Sequence, residues 1–287
     1  MMFLLALTSS AFYGAADFLG GVASKSLSTT VVVAIAQATG LVVLLAAISL
    51  LPPADPAGTD LAYGAAAGLA GTVGVGLLYR ALAIGVMGVV APITAVCAVL
   101  IPGLFSVVRG ARPGRRVVAG SLLALVAIVL VSQQRSSGGS NLPARRGLPP
   151  GVPHALVSGV AIGAFFVVLS QARPEAGLWP LVGARSAALP ICVAASLVSG
   201  GSFRGVATRT VGAASAAGVV DMSANVLYLL ASQMGSLPVA VTLSSLYPAS
   251  TVVLARIVLG ERLHRVQVVG MACALVAVAC IVLGGAR

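Results

Sequence analysis

Charged residues are scarce in this sequence. Only 8% of its 287 residues are Asp, Glu, Lys or Arg, whereas 59% are hydrophobic and the mean hydropathy is +1.09. An average soluble domain has about 25% charged residues. The composition therefore excludes an ordinary water-soluble domain and indicates a protein that lies in a membrane.

Residue patterns that carry common enzyme chemistry are also missing. The sequence has no HExxH, GxSxG or Walker A pattern and no aspartate in a GxGD context. Its four cysteines lie in apolar runs without CxxC spacing, and His154 and His264 have no second ligand at metal-binding spacing. We therefore expect no enzyme activity, no cofactor and no metal site, with the cysteines acting as small packing residues.

Acidic residues are the rarer of the two charge types. Six acidic residues face sixteen arginines and one lysine, so the formal net charge is +11. The basic residues lie mostly between apolar runs, as in "VVRGARPGRR" at 107–116. Basic loops of this kind favour anionic lipid head groups, so we expect the lipid bilayer as a partner and no nucleic acid.

Long apolar runs, by contrast, fill most of the chain. About ten runs approach the roughly 20 residues that cross a bilayer, and they start near residues 3, 29, 60, 86, 116, 152, 178, 210, 236 and 266. They are continuously apolar, unlike the alternating strands of a membrane barrel. The sequence therefore predicts an all-α integral membrane protein of about ten transmembrane helices, which we expect in the cell membrane.

A single Gly-, Ser-, Pro- and Arg-rich segment divides these runs into five and five. It predicts one unit at 1–134, a linker at 135–151 and a second unit at 152–287. A shift of 150 positions superposes Gly68 on Gly218 and Gly110 on Gly260, and a shift of 149 superposes Ser9 on Ser158. A repeated unit with an odd number of spans has inverted topology, so we predict two inverted five-helix repeats, which are typical of transporters.

The segment "SLYPASTVVLARIVLGERLHRVQVVG", at 245–270, carries a family resemblance. Its proline-bearing ninth helix, its "LGERL" turn, and Gln267 and Gly270 resemble the closing signature of the drug/metabolite transporter superfamily, in its EamA-like branch. The first half has a degenerate copy, with Ala111 where the second has Glu261. The resemblance implies a central cavity lined mainly by helices 1, 3, 4, 6, 8 and 9, with helices 5 and 10 outside it.

Three charged residues, Asp17, Arg185 and Asp221, lie inside apolar runs. An aspartate at a helix centre costs about 2.5 to 3.5 kcal/mol on insertion scales, which makes each of these residues a functional candidate. Helical spacing puts other polar side chains on the same faces. The candidates for a substrate or proton pathway are Tyr13, Asp17, Arg185, Asp221, Asn225, Tyr228 and Tyr247.

Two interpretations of these charges stay open. Asp17 or Asp221 lines a cavity, where it binds a cationic group or carries a proton; alternatively, Arg185 pairs with one of them and only locks two helices together. With two carboxylates and one arginine, at least one carboxylate needs another partner or a proton.

Several further residues have expected roles in the helices themselves. Pro92, Pro102 and Pro248 are candidate helix breaks, because proline frees a backbone carbonyl. Gln37 is expected to form hydrogen bonds between helices or to contact substrate. Glu261, at the exit of the ninth helix, is expected to tie two helix ends together.

These features favour a secondary transporter, and an exporter over an importer, that moves a small organic metabolite or drug by alternating access. Proton coupling is one option for its driving force. We expect a monomer or a homodimer. The alternative is a non-transporting membrane scaffold, in which the intramembrane charges only pack helices.

Overall fold

The chain folds as an all-helical bundle. The computed structural model describes residues 1–51, 53–110, 114–132, 148–198, 207–233, 243–244, 246–261 and 264–285, and these ranges contain ten α-helices, a short 3-10 turn and no strand. The helices are α1 Met2–Ala23, α2 Thr29–Leu50, α3 Gly58–Ile84, α4 Met87–Val108, α5 Arg115–Ser132, α6 Val152–Leu169, α7 Trp179–Val198, α8 Thr208–Gln233, α9 Tyr247–Leu259 and α10 Arg265–Gly285. The predicted all-α fold is confirmed.

Helix positions agree closely with the apolar runs. Every helix except α9 begins within two residues of its predicted start. The described part of α9 begins at Tyr247 and has 13 residues, whereas the prediction started near Ser236, which lies outside the described residues. Eight helices, all but α5 and α9, are long and apolar enough to cross a membrane by length and composition.

The three prolines proposed as helix breaks have two different settings. Pro92 and Pro102 both lie inside α4, which continues from Met87 to Val108, so neither proline ends that helix. Pro248 is the second residue of α9, in the first turn, where proline is well tolerated because its missing N–H has no helical acceptor.

Successive helices run in opposite directions, so their connections alternate between two ends of the bundle. We call the end that carries the start of α1 and the loops at 51–57 and 170–178 the near end. The far end carries the loops at 24–28 and 85–86 and the turn at 260–264. The largest cluster of buried apolar side chains lies at the far end and includes Phe18, Val32, Leu82, Met87 and Val152.

The helices fall into a central group and an outer pair. The outer pair is α5 and α10, which pack on each other and on α4. In the central group α1 contacts α8 and α9, α3 contacts α6 and α7, α2 contacts α7 and α8, and α4 contacts α6 and α9. The outer position of α5 and α10 agrees with what the resemblance implied.

One hydrogen bond between helices occurs twice, at positions that correspond between the two halves. Ser9 Oγ in α1 donates to the Ala224 carbonyl in α8 at 2.8 Å. Ser158 Oγ in α6 donates to the Gly74 carbonyl in α3 at 2.7 Å. The serines are 149 positions apart and the acceptors are 150 apart, which are the two offsets found in the sequence.

A second hydrogen bond is repeated in the same way. Thr94 Oγ1 in α4 donates to the Ala155 carbonyl at 3.3 Å, and Ser244 Oγ, just before α9, donates to the Ala6 carbonyl at 3.4 Å. The helix ends also correspond, because α4 is followed by Gly110 with φ +92° and α9 by Gly260 with φ +67°.

Glycines allow the closest approach between central helices. A Cβ at Gly64 in α3 would overlap the Pro180 carbonyl oxygen in α7, and one at Gly218 in α8 would overlap the Ala36 carbonyl oxygen in α2. The "GAAAG" segment that begins at Gly64 therefore packs α3 on α7, as small residues at this spacing do in membranes.

We predict that Gly64→Ala destabilises the protein by about 1 to 3 kcal/mol, because the added methyl group forces α3 away from α7. Gly76→Ala is the matched control, since a Cβ at Gly76 in the same helix meets no atom within 4 Å. Thermal unfolding of the detergent-purified variants checks this, and an equal melting temperature for both variants would contradict the proposed packing.

Candidate functional site

An ion pair lies in the middle of the bundle. Arg185 Nη2 in α7 is 2.5 Å from Asp221 Oδ2 in α8, and the two side chains are only 15% and 29% exposed. Arg185 is about two turns into α7, and Asp221 is near the middle of α8. The structure therefore answers which carboxylate Arg185 pairs with: it is Asp221.

A chain of hydrogen bonds holds the other side of the arginine. Arg185 Nη1 donates to Gln37 Oε1 in α2. Gln37 Nε2 in turn donates to Thr72 Oγ1 in α3 at 3.3 Å, and Thr72 Oγ1 donates to the Gly68 carbonyl at 2.7 Å. These hydrogen bonds connect α8, α7, α2 and α3. Both amino groups of the guanidinium therefore have a partner, as a charge in an apolar interior requires.

Asn225 and Tyr228 continue the polar face of α8 toward the near end. Asn225 Nδ2 donates to the backbone carbonyl of Asp221 at 2.8 Å, so the amide is bound to its own helix and not to the carboxylate. Tyr228 is partly buried and lies within electrostatic range of Tyr13 in α1. Of these three residues of α8, Asp221 is the one that bonds to another helix within the described part of the chain.

Asp17, in the far half of α1, has a different setting. Its side chain is partly buried, and among the described residues it forms no hydrogen bond and no ion pair. Arg185, the cation of the polar centre, is already bound to Asp221 and Gln37. Asp17 is therefore the one carboxylate of the centre without a compensating cation among the described residues.

Tyrosines from two other helices lie near this carboxylate, and a third tyrosine, from α1, packs on one of them. Tyr79 in α3 places its ring where a Cβ of Gly20, one turn after Asp17, would lie, and it is within electrostatic range of Asp17. Tyr247 at the start of α9 is also within that range. The rings of Tyr13 and Tyr247 meet edge to face, with centroids 6.2 Å apart. The centre thus combines a paired charge, an unpaired carboxylate and aromatic walls.

Two polar residues of this centre were not candidates from the sequence. Thr72 and Tyr79 lie in α3, and only the fold brings them to Gln37 and Asp17. Tyr79 lies in the segment "LYRALAIG" near the end of α3, and the residue type alone does not mark it as part of a site. The structure also puts α2 and α7 at the centre, beyond the six helices implied by the resemblance.

Glu261 joins the two halves at the far end. Its Oε1 accepts from the Met87 N–H at 3.1 Å and its Oε2 from the Gly88 N–H at 3.2 Å, at the start of α4. The sequence predicted a tie between helix ends at this turn, and the structure identifies the partner as the N-terminus of α4.

Asp60 joins the two halves at the near end. It accepts from the Arg173 backbone N–H at 3.0 Å and from Arg173 Nη2 at 2.8 Å. Hydrogen bonding to this carboxylate raises the pKa of the Arg173 guanidinium, which stays charged. The tie fixes the start of α3 to the loop between α6 and α7.

An all-helical bundle with a few charged residues in its interior is an architecture found among membrane transporters. Residues 149–283 match the EamA-like transporter family. This match confirms the resemblance to the drug/metabolite transporter superfamily. The second half of the chain is thus similar to a family of transporters, and the long apolar helices indicate a multi-pass membrane protein.

A solved structure gives independent support for the fold. A protein crystal structure aligns with 98% of this chain and 96% of its own, with a TM-score of 0.65 and 18% sequence identity. At that identity the likeness shows the fold alone. No curated protein matches the sequence.

We predict that Arg185 and Asp221 stabilise the protein as a unit. Asp221→Asn and Arg185→Gln should each lower the free energy of unfolding by up to about 3 kcal/mol, because each leaves a half-buried charge without its partner. The double variant should lose less than the sum of the two single losses. Thermal unfolding of the four proteins measures this coupling, and additive losses would show that the pair contributes no interaction energy.

Proposed function

We propose that this protein is a proton-coupled secondary transporter that exports a small organic metabolite or drug across the cell membrane by alternating access. The observation that carries the proposal is Asp17, a carboxylate inside the bundle without a cation partner among the described residues. A carboxylate in apolar surroundings needs a proton or a positively charged ligand to offset the cost of its burial.

The Arg185–Asp221 pair has the opposite role in this proposal. Because Arg185 binds Asp221 with one amino group and Gln37 with the other, both charges are already compensated. Neither group needs a ligand, so we assign the pair to positioning α7 and α8 around the site. The pair keeps Asp221 charged throughout the cycle, and only Asp17 changes its partner.

A cycle follows from this division of roles. With the site facing the cytoplasm, Asp17 releases its proton and takes the positively charged or polar group of the substrate, between Tyr13, Tyr79 and Tyr247. After the site opens to the other side, a proton replaces the substrate on the carboxylate. A group that holds either a proton or the substrate, and not both, couples their opposite movements. Protonation keeps the carboxylate neutral during the return step.

Alternating access requires two related halves, and the repeated contacts support them. We infer that residues 1–134 and 152–287 are inverted repeats, because hydrogen bonds at Ser9 and Ser158, and at Thr94 and Ser244, correspond at the offsets in the sequence. Exchange of the conformations of such halves turns a state open to one side into a state open to the other. Both repeats lie in one chain, so a monomer suffices for this cycle.

The experiment begins by finding a ligand. A panel of metabolites is added to the purified protein, and ligands that raise its melting temperature are kept, since a ligand of the folded state stabilises it. Those ligands are then tested in liposomes that contain a pH-sensitive dye. We predict that their uptake or release is driven by an imposed pH gradient and moves protons in the opposite direction.

Asp17→Asn should lower this proton-driven flux at least 10-fold without unfolding the protein, because the amide cannot exchange a proton. Asp55→Asn, at an exposed aspartate in the near-end loop, is the matched control and should keep normal flux. Proton-coupled flux in Asp17→Asn at the level of the wild type would remove Asp17 from the mechanism. No flux of any stabilising ligand in the wild type would favour the membrane scaffold instead.

A further inference from the structure

We propose that Glu261 is a latch that stabilises the state closed at the far end and so sets the resting state of the transporter. The inference rests on the proposed alternating access, and it concerns which side the empty protein faces. It is carried by the contact between the Glu261 carboxylate and the first two backbone N–H groups of α4.

The position of the Glu261 carboxylate follows from the left-handed turn that ends α9. Gly260 has φ +67°, and the Glu261 N–H then donates to the Ala255 carbonyl at 3.3 Å, which closes the helix end. This turn is a conformation that glycine adopts without steric cost. It directs the Glu261 side chain away from its own helix and toward the start of α4.

The start of α4 requires such a partner. Its N-cap residue is Val86, whose side chain makes no capping hydrogen bond. The first N–H groups of a helix have no acceptor within the helix, and they carry the positive end of its dipole. Glu261 supplies one carboxylate oxygen to Met87 and the other to Gly88, so a residue of the second half caps a helix of the first.

This cap adjoins the large cluster of buried apolar side chains at the far end. Met87 itself is fully buried in the largest apolar cluster, together with Leu82 and Val90. Opening the far end requires the first turn of α4 to separate from the elements that surround it. We therefore assign to Glu261 a contact that has to break before the site faces the far side.

The sequence contains this latch in only one of its two repeats. The position 150 residues before Glu261 is Ala111, which has no carboxylate to cap another helix. The mirror-related state, closed at the near end, therefore lacks an equivalent latch at this position. The near-end tie between Asp60 and Arg173 joins different elements, α3 and the loop after α6. The two states thus differ in energy, and Glu261 favours the one closed at the far end.

Cys192 provides a native reporter of far-end opening. It is 4% exposed, belongs to the far-end cluster and lies beside Thr72, next to the polar centre. A membrane-impermeant maleimide is added to vesicles, and the modified Cys192 peptide is quantified by mass spectrometry. Separate Ser26→Cys and Thr59→Cys variants, at exposed far-end and near-end positions, establish which end of the protein faces outward.

We expect Glu261→Gln to increase the rate at which Cys192 is labelled from the far end by roughly 5- to 30-fold, as expected for the loss of a carboxylate at a helix N-terminus. Labelling from the near end should fall or stay constant. Glu175→Gln, which removes a carboxylate from the near-end loop, should leave the far-end rate unchanged. A far-end rate in Glu261→Gln equal to that of the wild type would overturn the proposal.

A second variant covers the case in which Glu261→Gln does not fold. Glu261→Asp keeps the charge and shortens the side chain by one methylene, so it should give a smaller increase in the same direction; an unchanged rate would again overturn the latch. This result is independent of the transport assay. Altered labelling with no flux in any variant would leave the latch in place and refute the proposed transport, whereas normal flux with unaltered labelling would refute the latch alone.

Discussion

The structure depends on how charge is accommodated inside an apolar bundle. Arg185 and Asp221 meet between α7 and α8, and Gln37 and Thr72 extend their contact to α2 and α3. Four central helices are thereby fixed around one polar chain, because each buried polar group needs a partner where water is absent. By the same constraint the Asp17 carboxylate also needs a partner, and we propose that this partner is a proton or a ligand.

Two helix contacts of the scaffold are repeated between the halves of the sequence, whereas the charges of the centre are not. Equivalent hydrogen bonds from Ser9 and Ser158 place α1 on α8 and α6 on α3 in the same way. Under the offsets of 149 and 150 that relate these contacts, the positions in the first half that correspond to Asp221 are Thr72 and Gly71. Arg185 and Asp17 likewise have no charged residue at their corresponding positions. In our proposal, the two related halves provide two interchangeable conformations, and the residues without a counterpart give the site its chemistry and its preferred state.

Much of the fold follows from the sequence because its signals are local. Apolar length predicts helix positions to within two residues wherever a run is uninterrupted, as in α2 and α6. Charge inside an apolar run likewise identifies Asp17, Arg185 and Asp221 as candidate site residues from the sequence alone. The pairing of Arg185 with Asp221 and not Asp17 depends on how α2, α7 and α8 pack. Thr72 and Tyr79 could not be predicted, since ordinary residues become part of a site only through long-range contacts.

Asp17, in our proposal, holds either a proton or the ligand at any one time. Isothermal calorimetry of a stabilising ligand, repeated in buffers of different ionisation enthalpy, counts the protons released when the ligand binds. Our account predicts release of up to about one proton per bound ligand in the wild type, falling to none in Asp17→Asn. Equal proton release by the two proteins, or none by the wild type across the pH range of transport, would contradict it.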